Sequence, residues 1–598
     1  MDALMTFINE VNEILWGPWT LYILLGAGVL FTIWTRFSQF KVMTHGIAVT
    51  RGVYDDPNDP GVINHFQALS AALSATIGLG NIGGVAIAIS LGGPGALFWM
   101  WVVGFLGMAL KTVEITLTMM YRNTDDPDEP HGGAMWVIER TLGARGGYAK
   151  VLARVIGVIF SITLLVMTFA GGNMFQTWNV ADLTLNYFEV PKIATGIILS
   201  IVVGLVIVGG IKRIGRVAAK LVPVMCVLYL LSAFAVLATN ISLLPGIFAE
   251  IFRSAFSGTE ATGAFIGASF YFAFFWGMKR ALFSNEAGLG SAPIAHAAAK
   301  TGQPAREGIV GGMGPFIDTL CICTLTALVI LCTDTWNRPA DGDFGGDLAL
   351  VVERPAEGDP NWQIEGPSDP GTLPVLSGGE EWKGGRQLFV LARASAALAS
   401  AAPMKVYANV AVAGEGVQGG LTPGQKYLDW IKVENAPEID DGMADGHRIA
   451  LDSDGAFRSY NGATLTGHAF DRAFPGLGKW LVTLAAWLFA ISTMISWSYY
   501  GEQGTIYIFG KGSVLAYKIV FLSLAVVGAF LVRTDAELGA LADFGTGGML
   551  LANMLIVLGL GYLAVRALDR YFKDLDAGKF HPHARPSITD VVDGKDVE

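Results

Sequence analysis

About eleven runs of this 598-residue chain are apolar for long enough to cross a bilayer: 18–36, 65–90, 94–120, 151–178, 192–211, 217–239, 262–284, 306–332, 477–499, 515–532 and 546–567. A helix spans hydrocarbon with about 20 mostly apolar residues, because every backbone polar group must be satisfied within it. So many runs dictate an all-α polytopic membrane protein. Only 15% of the residues are charged, against about 25% in soluble domains. The net charge of −11 argues against a nucleic-acid partner. Cys226, Cys321, Cys323 and Cys332 all lie in or at the end of apolar runs, which suits packing and gives no disulfide framework or zinc site. The first residues carry Asp2, Glu10 and Glu13, the reverse of a basic signal-peptide start, so no cleavable signal is expected.

Loop charge gives orientation, since cytoplasmic loops hold the Lys and Arg. Basic residues gather in alternate loops: Arg36, Lys41 and Arg51; Arg122, Arg140, Arg145 and Lys150; Lys212, Arg213, Arg216 and Lys220; Lys300 and Arg306; Lys511 and Lys518; and a tail from Arg566 to Arg585. With an odd number of spans the N-terminus lies outside and the tail inside. Between 334 and 472 the chain turns polar and carries 21 acids against 11 bases. Span parity places this acidic insert outside. Within it "QLFVLARASAAL" and "MKVYANVAVAGEGV" alternate as strands do, which predicts a small, partly β domain. "DSDG" at 452–455 lacks the full calcium-loop ligand pattern and reads as a hairpin turn.

Residues 74–84, "SATIGLGNIGG", put four glycines and an asparagine inside an apolar run. Gly78, Gly80, Gly83 and Gly84 permit a broken helix, whose bare N–H groups attract a carboxylate and bare carbonyls a cation. Asn81 offers a side-chain oxygen to a small hard cation. Close helix packing through small residues explains this stretch equally well. A second irregular stretch, "FWGMKRALFSNEAGLGS" at 275–291, favours the break. One interruption falls in span two and the other in span seven. Spans two to six and seven to eleven form two sets of five with opposite topology, and paired interruptions in inverted halves point to a transport site. The chain then divides into 1–62 (an extra helix and cytoplasmic linker), 63–240 (first half), 241–333 (start of the second half), 334–472 (insert), 473–568 (rest of the second half) and 569–598 (cytoplasmic tail).

Other polar residues gather on spans: Asn173 and Gln176; Asp318 and Thr319; Ser492, Thr493 and Ser496. Intramembrane ionisable groups are costly and default to function. Glu114 follows Lys111 by three residues, which fits a local ion pair. Asp318 has no base within a helical turn, leaving cation coupling, proton coupling or a helix N-terminus contact open. Ser492 and Thr493 could instead bond back to helix carbonyls.

These stretches resemble the alanine or glycine:cation symporters, often called sodium:alanine symporters. The resemblance rests on "GGPGALFWMWVVGFLG" at 92–107, "FSNEAGLGSAPIAHAAAKT" at 283–301, "SWSYYGE" at 496–502 and "FIDT" at 316–319. It covers the chain apart from the insert and implies a leucine-transporter-like fold of five plus five helices. It also implies that the Leu79 and Gly80 N–H groups receive the substrate carboxylate, that Gln176 takes part in amino-acid binding, and that Trp276, next to Phe275 of the substrate-binding set, closes the pocket. Asn81 and the Thr76 carbonyl would hold one cation, and Ser74, Ile77, Ser492 and Thr493 a second; Asp318 and Thr319 join the cation-binding set. The family usually has threonine where Leu79 stands, which costs a hydroxyl contact and pocket room. The insert, at roughly 336–462, is longer than the family loop.

The expected function is sodium-coupled uptake of alanine or glycine across a bacterial or archaeal-type plasma membrane, with no cofactor beyond the co-transported sodium. Leu79, Phe175, Phe275 and Trp276 are expected to leave a small pocket. Proton coupling through Asp318, or a sensor or channel fed by the insert, are the alternatives. His45, His65, His131 and His296 share no span with a nucleophile and base, so an intramembrane enzyme is not expected.

Overall fold

The computed structural model describes residues 2–126, 129–256, 270–345, 351–353, 363–365, 373–377, 381–382, 387–393, 404–413, 425–434, 450–460, 462–530, 535–580, 582 and 586–594. Among them seven helices are long and apolar enough to cross a membrane: Gly95–Tyr121, Gly147–Phe188, Gly210–Thr239, Pro304–Cys332, Gly478–Phe509, Lys511–Phe530 and Leu538–Asp576. Two bent pairs raise this to nine, Leu4–Leu15 with Pro18–Trp34 at 44° and His65–Thr76 with Gly80–Gly92 at 53°. Lys192–Ile207 is a shorter apolar helix. Phe270–Asn285 is 16 residues long, and the start of the run expected at 262–284 lies outside the described residues.

The outer faces confirm a membrane protein. Ile193, Ile197, Ile201 and Leu205 are exposed along one helix, and Val224, Val227, Leu231 and Phe234 along another. Such stripes, three or four residues apart, would be a liability in water and are at home in lipid.

Inside, Gly95–Tyr121 packs on Phe270–Asn285, on Pro304–Gly312 and on the Asp535–Asp576 helix, while Gly478–Phe509 packs on His65–Thr76. Phe270–Asn285 runs unbroken through Gly277, Lys279 and Arg280, so neither the glycine nor the charged residues of the 275–291 stretch interrupt the helix. Gly277 serves close approach instead: a Cβ there would lie 2.4 Å from the Ala96 carbonyl oxygen.

One end of the bundle is pinned by buried polar groups. Asn64 caps the His65–Thr76 helix in a capping box with Gln67. His65 and His296 each set a ring nitrogen against Glu307, the latter at 2.5 Å. Arg122 donates to the carbonyls of Pro60, Ala297, Ala299 and Thr301.

The insert contains strands β1 (Gly342–Asp343), β2 (Val351–Glu353), β3 (Gln363–Glu365), β4 (Val375–Leu376), β5 (Gln387–Arg393), β6 (Met404–Val412), β7 (Lys426–Glu434) and β8 (Ala450–Arg458). Six form an antiparallel sheet in the order β4-β1-β8-β5-β6-β7, and β2 pairs with β3. Both expected strands are present as β5 and β6. Alternation sends Leu388, Val390, Val406 and Ala408 to one apolar cluster and Phe389, Leu391 and Tyr407 to another, as the two-residue period requires. "DSDG" is not a hairpin turn: it lies within β8, where the register against β5 jumps between Val390 and Ala392. The extra residues are taken up as a bulge, so the chain continues in one direction.

Candidate functional site

The glycine-rich stretch breaks. The first half-helix ends at Thr76, and Ile77 takes φ −77° and ψ 88°, outside helical values. Its N–H still closes the last turn on Leu73 O at 2.7 Å. The next N–H, of Gly78, turns to Asn81 Oδ1 at 2.9 Å, and that of Leu79 meets Gln176 Oε1 at 3.4 Å. The chain resumes through a wide, π-type turn at Gly80–Gly84, a form that recurs at functional sites. Residues 77–79 are thus a gap in which side chains meet the Gly78 and Leu79 amides, as a buried backbone demands. Gly78 is also required for space, since a Cβ there would sit 2.4 Å from Thr493 Oγ1.

A buried polar cluster stands behind the gap. Asp318, on the wide turn Phe316–Cys323, accepts from Asn81 Nδ2 at 2.5 Å, from Ser284 Oγ and from Thr319 Oγ1 at 3.0 Å. Asn285 Nδ2 donates to Thr319 Oγ1 at 3.2 Å. The cluster therefore joins three segments that are far apart in sequence through one carboxylate.

On the other side, Ser74 Oγ donates to the Ser492 carbonyl at 2.6 Å, and Ser492 Oγ bonds back to Phe489 O at 2.9 Å. Thr493 Oγ1 is buried with no hydrogen-bond partner among the described residues. Trp497 Nε1 reaches the Ala75 carbonyl at 3.3 Å.

A second gap follows Asn285. Glu286, Gly288 and Gly290 have φ of +56°, +88° and +83° before the short helix Ala292–His296. Glu114 holds this loop: it accepts from Gly288 N at 3.2 Å, Gly290 N at 2.7 Å and Asn553 Nδ2 at 2.6 Å. The expected Lys111–Glu114 pair does not form; Lys111 Nζ donates to the Asn285 carbonyl at 2.8 Å. Both side chains cap loose ends of the second gap, which offers them backbone partners that the helix surface does not.

A cavity of about 930 Å³ opens along the first gap. Thr76, Gly78, Gly80, Phe175, Gln176, Phe275, Trp276 and Thr493 line it. So do Glu286, and, farther along, Trp336, Arg338, Tyr460, and Phe389 and Tyr407 of the sheet. Lys279 and Asp543 also face it, bonded to each other at 2.7 Å.

The cavity thus gathers Thr76, Gly80, Gln176, Phe275, Trp276 and Thr493 from the residues expected at the site. Ser74, Ile77, Asn81, Asp318, Thr319 and Ser492 are buried beside it. Leu79 is a correction: its side chain is 1% exposed, belongs to the apolar core and does not line the cavity. Its bulk therefore does not narrow the space, and only its amide faces Gln176. Asn173 bonds to the Phe521 carbonyl at 2.6 Å instead of the site. Sequence reasoning missed Ser284 and Glu286, although both sit in the quoted "FSNEAGLGS" stretch. It also missed the aromatic face that the insert turns toward the cavity.

A helical membrane protein whose span breaks against a deep cavity has the build of a secondary transporter. The model of the sodium:alanine symporter family matches residues 1–350 and 449–585, and the chain belongs to that family. The sodium/alanine symporter AgcS of Methanococcus maripaludis is 33% identical over 561 residues, 94% of this chain and 96% of that one. A putative sodium/proton-dependent alanine carrier of Bacillus subtilis is 38% identical over 339 residues, 56% of this chain and 66% of its own. A probable sodium/glutamine symporter of the same organism is 37% identical over 333 residues, with the same shares. Members of this family are transporters, not enzymes, and the chain is a cation-coupled amino-acid symporter.

Proposed function

We propose that the chain imports alanine or glycine together with sodium by alternating access. The observation that carries this is the gap at 77–79, where the Gly78 and Leu79 amides leave the helix ladder and Gln176 stands against the cavity. In this reading the substrate carboxylate docks on the Leu79 and Gly80 N–H groups and Gln176, between Phe275 and Trp276. One sodium sits among Asn81, the Thr76 carbonyl, Asp318 and Thr319. A second uses Ser74, Ile77, Ser492 and Thr493, supported by the Thr493 hydroxyl, which has no hydrogen-bond partner among the described residues. Each ligand must raise the other's affinity for coupling to hold.

The architecture in this proposal is eleven spans, counting both bent pairs, Lys192–Ile207 and Phe270–Asn285. Spans two to six and seven to eleven are the inverted halves of a leucine-transporter-like fold, with gaps at 77–79 and 286–291. The N-terminus and the 334–472 insert lie outside and the tail inside the cell.

A second reading has one specific support: Asp318 is a fully buried carboxylate, suited to carrying a proton. Uptake of labelled alanine into proteoliposomes decides between them. Replacing sodium by choline abolishes uptake if sodium is the coupled ion. Undiminished uptake in choline that follows an imposed pH gradient makes the proton the coupled ion and refutes the sodium assignment.

A further inference from the structure

We infer that Glu286 is the partner of the substrate's ammonium group, so that the site recognises an amino acid by its positive as well as its negative end. This rests on the reading of the cavity as an amino-acid site and deepens it.

Three buried carboxylates surround the two gaps, and their partners differ. Glu114 accepts from three donors, two of them backbone N–H groups. Asp318 also accepts from three. Glu286 is 2% exposed, yet it accepts only from Ser291 Oγ, at 2.7 Å, and its other oxygen has no hydrogen-bond partner among the described residues. A carboxylate taken out of water needs several donors or a cation. Lys111 spends its hydrogen bond on the Asn285 carbonyl and makes no ion pair with Glu286 among the described residues, so its charge acts on that carboxylate only from a distance. Of the three carboxylates, the under-supplied one is also the one that lines the cavity.

The backbone points the same way. Glu286 adopts φ +56°, a left-handed conformation that suits glycine and costs a side-chain-bearing residue about 1 kcal/mol. Strain of this kind is held where the surroundings use it. Here Glu286 lines the cavity at the second gap, while Gly78, Gly80 and Gln176 of the first gap line the same space. A zwitterion supplies one carboxylate and an ammonium with three N–H donors. Glu13 and Arg280 also line the cavity, and of its other charged residues Lys279 pairs with Asp543 and Arg338 with Asp341.

The ligand class that follows is an α-amino acid with a free ammonium. Monocarboxylates such as lactate, and N,N,N-trimethylalanine, which has no N–H donor, lack the matching group. The test uses full-length protein in proteoliposomes, with labelled alanine uptake read for wild type, Glu286→Gln and Glu286→Asp, and with unlabelled alanine, lactate and N,N,N-trimethylalanine as competitors. Wild type is inhibited by alanine and by neither analogue. Glu286→Gln raises the alanine KM by about 30-fold, as expected for losing a hydrogen-bonded charge, and leaves the sodium half-saturation at saturating alanine unchanged. Glu286→Asp raises KM less. For a variant too unstable to transport, alanine protection of wild type and Glu286→Asp against heat supplies the readout: weaker protection of Glu286→Asp supports the assignment and equal protection overturns it. An unchanged alanine KM in Glu286→Gln overturns the proposal, as does a sodium half-saturation that shifts more than KM, which makes Glu286 a cation ligand. A wild type that takes up no amino acid under any ion gradient overturns the amino-acid reading itself, a failure seen before any variant is made.

Discussion

Asp318→Asn is the substitution that asks most of the proposed mechanism. Asp318 accepts from Asn81 Nδ2 at 2.5 Å, from Thr319 Oγ1 at 3.0 Å and from Ser284 Oγ. Asparagine keeps the shape, but one acceptor oxygen becomes an NH2 that faces donors. One bond is lost and the other two lose their charge. Hydrogen bonds to charged groups are worth about 1.5–3 kcal/mol against about 1 for neutral ones, so the cluster loses about 2.5–7 kcal/mol. A sodium ion held by that carboxylate loses a comparable amount, which is at least about 30-fold in affinity. The assay is the sodium half-saturation of labelled alanine uptake in proteoliposomes, with the thermal midpoint of the purified protein measured alongside. The expected outcome is a half-saturation raised by at least about 30-fold. A lowered thermal midpoint with the wild-type sodium half-saturation refutes the reasoning and leaves the cluster as scaffolding between the Asn81, Ser284 and Asp318 segments.

Three further outcomes are expected. Gln176→Ala removes the acceptor of the Leu79 amide and the donor to the Gly171 carbonyl at 2.9 Å; the alanine KM rises by about 10-fold, one hydrogen bond's worth, while an unchanged KM removes Gln176 from the site. Gly277→Ala puts a Cβ 2.4 Å from the Ala96 carbonyl oxygen, which lowers stability by about 1–3 kcal/mol; thermal melting of the detergent-purified protein checks it, and a wild-type midpoint means that the two helices can part freely. The third concerns pH. His468, on the Ala463–Ala473 helix, stacks on Tyr460; burial first, then the Arg338 charge, hold its imidazole down to about 4 from 6.5. The unfolded chain binds more protons between those values, so this contribution is complete above about pH 6.5 and is lost as the pH falls toward 4, by about 3 kcal/mol at most. His468→Gln flattens that part of the stability profile, and an equally steep acid loss in the variant assigns it to other groups.

The sequence by itself determined the membrane class and the place of the first gap. Apolar runs of span length leave a backbone no option but helix, and glycines with an asparagine inside one such run mark where the ladder can be given up. It also determined the β5 and β6 strands, because a two-residue period survives in the sequence of a sheet with two faces. What it could not determine is where each side chain on a broken backbone points. Leu79 looked like a wall of the pocket, but at the gap its side chain turns into the core and only its amide faces the site. Lys111 and Glu114 looked like a helix-surface pair, but the second gap, 174 residues away in sequence, offers both of them better partners. "DSDG" has a turn's composition and yet lies within β8, since the pairing of its flanks with β5 and of Gly455 with β1 outweighs local preference. The meeting of Asn81, Ser284 and Asp318, the under-supplied carboxylate of Glu286 and the insert's aromatic face over the cavity were decided by the tertiary structure alone. Each depends on the packing of helices distant in sequence, and no local period records which of their faces meet.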